Sequence, residues 1–172
     1  MAAGVSGCLR SQASGQATAT VEGNTLNIRL AFNETVTESD INEDMTGDRE
    51  LAFMCFSVSM WNADGQRVAN YDIGGDEDGI GFNGGYYAPE TDPESADGTF
   101  RWFGGPEATT TFRLGGVNGA STIRNIIFVG TPVVDNQISA TLSVDDQETD
   151  SVEFGTRGAP DPYEFSLEQS TA

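Results

Sequence analysis

The stretch Asp72-Ile73-Gly74-Gly75-Asp76-Glu77-Asp78-Gly79-Ile80-Gly81-Phe82-Asn83 gathers the residue types that a hard cation requires. Carboxylates at Asp72, Asp76 and Asp78, with glycines that permit tight turns between them, could supply the oxygen donors of a Ca²⁺ loop. The spacing departs from the helix–loop–helix pattern, because the place of its terminal bidentate Glu is held by Gly85. It also lacks the glycine-rich nonapeptide repeat. An acidic surface hairpin accounts for the same residues without any ligand. The chain is therefore expected to need no cofactor, with Ca²⁺ or another cation on Asp72, Asp76 and Asp78 as the exception to test.

Other chemistry is limited by what is absent. The chain contains no His, so neither a Ser nor a Cys nucleophile has its ordinary base. Two-carboxylate glycoside chemistry needs only a pair of acids. Among 27 Asp and Glu residues, however, no pair stands out. The expectation is a protein that is not an enzyme.

Two cysteines, Cys8 and Cys55, have no metal-type spacing. Cys55 lies inside an apolar run and reads as a buried thiol. Val5-Ser6-Gly7-Cys8 resembles a lipobox, yet the residues ahead of it supply neither a charged n-region nor an apolar h-region. Cys8 is therefore placed on a small-residue arm, residues 1–15, as a candidate for an intermolecular disulfide in an oxidising medium. A lipid anchor at Cys8 belongs only to an alternative reading. Tyr86 and Tyr87, with Trp102 and Phe103, are aromatics suited to a core and to an interface with another subunit, and both uses are expected. Asn33-Glu34-Thr35 is a glycosylation sequon of the kind that chance produces in a chain rich in Asn, Ser and Thr.

Charge bounds the setting. Net charge is −19, all eight basic residues are Arg, and Lys is absent. Such a surface repels itself in dilute buffer. In molar salt the Debye length falls to about 3 Å, which screens the repulsion while dense carboxylates keep the surface hydrated. The composition resembles that of haloarchaeal proteins. Scattered single Arg residues do not make the basic stripe that nucleic acid or an anionic membrane requires. No apolar run is long enough for a transmembrane helix.

The elements that must position these residues read as strands. A chain of 172 residues suits one domain, burying about 70% of its unfolded surface. Gln16–Glu22 alternates, Gly23-Asn24 marks a hairpin, and Leu26, Ile28, Leu30 and Phe32 alternate again. Residues 33–50 form an acidic excursion in which Ser39 could cap a helical turn bearing Ile41 and Met45. Leu51–Trp61 places Met54, Phe56, Val58 and Met60 on one face, and Asp64-Gly65 turns the chain. Further strands are expected at 79–82, 98–103, 108–114, 122–129 and 137–144, with a short one at 152–154. The sum is an all-β, single-domain, antiparallel jelly-roll or β-sandwich of roughly eight to ten strands. It occupies residues 16–156, between the arm and a C-terminal extension at 157–172.

In size, composition and strand rhythm the chain resembles the small major capsid protein of the internal-membrane icosahedral haloarchaeal viruses. That resemblance implies an upright single jelly-roll barrel, packed in capsomers over a lipid vesicle. It implies copies of itself or a sister capsid subunit as partners, and a virion location. The alternative is a haloarchaeal cell-surface lipoprotein or filament subunit, extracellular, with a ligand-binding β-sandwich.

Overall fold

The computed structural model describes residues 25–41, 43–44, 46–75, 79–91, 98–114 and 123–167. Two antiparallel sheets face each other, as the alternation in the sequence requires. The first is β12(Gln147–Glu153)–β11(Ser139–Val144)–β1(Thr25–Phe32)–β9(Glu107–Arg113)–β6(Ile80–Gly84). The second is β13(Asp161–Ser166)–β10(Ile123–Pro132)–β4(Phe53–Asn62)–β8(Thr99–Phe103)–β7(Glu90–Thr91), with β5(Arg67–Asp72) also paired to β4. A small ladder joins β2(Val36–Thr37) to β3(Glu50–Leu51) around the single turn of α1(Glu38–Ile41).

Strand pairing is nested. β1 pairs β11, β4 pairs β10, β6 pairs β9 and β7 pairs β8. That is one long hairpin rolled over on itself, the connectivity principle of jelly rolls. The β1–β9 and β4–β8 ladders close the roll. The fold is thus an all-β sandwich, with thirteen strands among the described residues, three of them two residues long.

The core forms where inner faces meet. Leu26, Ile28 and Leu30 of β1 and Ala140, Leu142 and Val144 of β11 are all at most 3% exposed. They pack toward Phe53, Phe103, Phe128 and Phe165, an aromatic cluster with the Phe53 and Phe154 rings stacked at 4.5 Å.

Three expectations change. Met54, Phe56, Val58 and Met60 do not share a face. The β4–β10 register shifts between Val129 and Gly130, so Phe56 is an extra residue on β4. Phe53, Cys55, Val58 and Met60 then point inward, all fully buried, while Met54 stands on the outer face. The boundary after residue 156 also moves. β13 pairs with β10 along six residues and buries Phe165, with Leu167 beyond it also fully buried, so residues 161–167 belong to the sandwich. Finally, Ser39 lies inside α1, which begins at Glu38. The arm, the Gln16–Asn24 hairpin and Met45 lie outside the described residues.

Candidate functional site

The acidic excursion and the outer face of the six-stranded sheet together enclose a groove of about 400 Å³. Its floor comes from alternation. Met54 pairs with Trp102 across the β4–β8 ladder, on the side opposite the Phe53–Phe103 pair. Phe100, two residues before Trp102, points the same way and meets it edge-on at 6.0 Å. Leu51 and half-buried Ile41 complete the apolar lining.

One wall is an ion-pair clamp. Arg49 donates from Nε to Glu38 Oε2 at 3.0 Å and from Nη2 to Glu38 Oε1 at 2.6 Å. Its Nη1 bonds Glu90 Oε1 on β7. The guanidinium sits 5.3 Å from the centre of the Tyr87 ring, and the Tyr87 hydroxyl accepts the Glu50 N–H at 3.1 Å. The hydrogen bonds from Arg49 hold the Glu38 carboxyl below the usual range, against a smaller opposing effect of burial. They also push the Arg49 guanidinium up. Both acids of the groove are thereby committed to Arg49 and act as struts.

Arg157 lines the groove from the loop that follows β12. Its backbone N–H donates to Asp135 Oδ1 at 2.7 Å and its Nη1 to Val133 O at 3.3 Å. Among the described residues no carboxylate lies within ion-pair distance of its guanidinium.

The residues singled out from sequence divide among these environments. Phe103 is 1% exposed. Tyr86 packs between Phe82 and Phe103, with ring centroids at 4.8 and 4.6 Å, and its hydroxyl bonds Thr110 on the opposite sheet. Burial pushes the Tyr86 phenol well up. Phe103 is thus a core residue with no exposed face, and half-buried Tyr86 packs against it. Consecutive strand residues face opposite ways, so Trp102 floors the groove while Phe103 enters the core. Tyr87 backs the clamp.

Asp72 closes the end of β5. Its Oδ1 accepts the Gly74 N–H at 3.2 Å and the Thr99 hydroxyl at 3.4 Å. Asp76, Asp78 and Cys8 lie outside the described residues, and among the described residues no cluster of three metal-binding side chains occurs. Asn83, at the far end of that stretch, is on the other sheet, where its amide donates to Thr111 Oγ1 at 2.9 Å. Cys55 is fully buried, and desolvation pushes its thiol well up. In the sequon, the Asn33 amide donates to Gln137 O at 3.0 Å and its oxygen accepts the Ser139 N–H at 2.7 Å, so it fastens β1 to β11.

Sequence reasoning missed the groove. Glu38, Arg49, Glu90 and Arg157 come from separate segments, and no spacing links them. The one local hint was Arg49 itself, a lone cation in an acidic excursion.

No known protein family matches this sequence, and neither a curated protein nor a solved structure resembles it closely enough to lend a role. Among the described residues no helix is long and apolar enough to cross a membrane.

Proposed function

We propose that this chain is a non-enzymatic structural subunit of an extracellular assembly in a high-salt environment, specifically a capsid protein of a halophilic archaeal virus. The observation that carries the reading is the rolled-hairpin sandwich, whose aromatic core is complete within one chain. Such a body leaves its outer faces for neighbours. The net charge of −19, with Arg as the only cation, supports the high-salt setting. Fractionating native material on a density gradient in molar salt tests the proposal. The protein should travel with particles containing DNA and lipid, and deleting residues 2–12 should leave the sandwich folded but impair assembly. Recovery as a free monomer, or with cell envelopes, overturns it.

The groove favours a second reading, a cell-surface lipoprotein with a ligand-binding sandwich anchored through Cys8. Mass spectrometry of the native N-terminus separates the two. A lipid on Cys8 supports the surface protein, and an unmodified arm supports the virion.

A further inference from the structure

We infer that the groove over Met54, Phe100 and Trp102 binds a small amphiphilic anion, an aliphatic or aromatic group ending in a carboxylate that Arg157 receives. The inference goes beyond the subunit reading and does not depend on it.

Concave sites of a few hundred Å³ with an apolar floor and few polar groups are the usual form of small-ligand pockets. Here the volume is about 400 Å³ and the lining is Ile41, Leu51, Met54, Phe100 and Trp102, beside two Glu and two Arg. Charge then selects the ligand. Glu38 and Glu90 both accept from Arg49, so each already has a cationic partner. Arg157 alone among the lining charges has no opposite partner in the described residues. The groove balances two cations against two anions in a molecule of charge −19, so an incoming anion meets little local repulsion. A neutral apolar ligand would use the floor but leave the guanidinium idle. The site is also held in shape: the clamp ties α1 and β3 to β7, and Phe100 pins the Trp102 ring. Rigid walls reduce the ordering cost of binding.

Hexanoate and hexanamide share a shape and differ in charge, which makes them suitable probes by isothermal titration of the full chain in molar KCl. Arg157 is exposed, so an ion pair with it contributes ~0–1 kcal/mol, and hexanoate should bind up to about fivefold more tightly than hexanamide. Arg157→Gln should bring hexanoate down to the amide's affinity with an unchanged melting temperature, and Arg157→Lys should keep most of the preference. Raising KCl on the unmodified chain provides a check that requires no variant. The acid-to-amide ratio should fall, because screening acts on the ion pair and not on the apolar contact. Equal binding of acid and amide, no saturable binding of hexanoate, or an unaltered preference in Arg157→Gln each overturns the proposal. Binding of a peptide of residues 1–12 in place of hexanoate would assign the groove to the chain's own arm and overturn it as well.

Discussion

Replacing Arg49 by Met keeps an unbranched apolar stem beside Tyr87 and removes the guanidinium alone. Glu38 then loses both of its side-chain donors while its side chain stays 11% exposed. Gly47 packs so closely that a Cβ there would lie 1.9 Å from Glu38 Oε2, which leaves little room for replacement water. Two charge-assisted bonds at ~1.5–3 kcal/mol each, sharing one carboxylate and therefore not additive, set a loss of about 2–4 kcal/mol. Glu90, with its side chain 38% exposed, rehydrates, and its pair with Arg49 adds only ~0–1 kcal/mol. For a chain of this size the melting temperature should fall by roughly 5–15 °C. Thermal and urea unfolding in molar KCl measure it.

The pH dependence has a definite sign. Arg49 lowers the Glu38 value below its ordinary 4.5. The stabilisation is therefore fully present above the unfolded value and is lost as pH falls through the folded one. In the variant, burial acts unopposed and favours the protonated acid, so the variant recovers as pH falls. The gap between the two proteins must narrow on acidification. Adding Glu38→Gln to Arg49→Met should restore part of the loss, because the buried charge disappears with its partner. A deficit below about 1 kcal/mol at neutral pH, or a gap that widens in acid, would refute the reasoning.

The remaining expectations concern charge, packing and the buried thiol. Lowering salt from molar to about 0.1 M should weaken the fold or its assembly, read by circular dichroism and light scattering, and unchanged signals in both would contradict the high-salt argument. Gly130→Ala places a Cβ 2.1 Å from Met54 O and 2.5 Å from the Phe53 ring, which should cost about 2–4 kcal/mol in urea unfolding. A melting temperature within about 2 °C of the parent chain would mean that β4 and β10 part easily at the bulge. Cys55 should resist iodoacetamide in the native protein and react in urea, because burial disfavours its thiolate. A native-state adduct on Cys55, located by peptide mass mapping, would show that the sandwich opens there.

The sequence by itself determined the all-β class, most strand positions and the alternation that builds the core. Leu26, Ile28 and Leu30, and Ala140, Leu142 and Val144, announce their inner face because a strand with one buried side repeats every two residues. The Asp64-Gly65 turn was legible for a similar local reason, since Gly65 adopts φ +75° there. The hairpin between β11 and β12 was not, because it turns on Asp145 and Asp146, both at positive φ without a glycine to signal it. The bulge at Phe56 depends on the partner strand, where Gly130 lets β4 approach, and nothing within Leu51–Trp61 encodes it. That one residue decides that Met54 faces outward, and hence that an apolar floor lies outside the core at all. Arg49 meets Glu38 and Glu90 across 11 and 41 residues of chain, and Arg157 arrives from beyond β12. Periodicity is a property of single elements and could be read along the chain. The groove and its charges exist only where separate elements meet, so tertiary structure alone decided them.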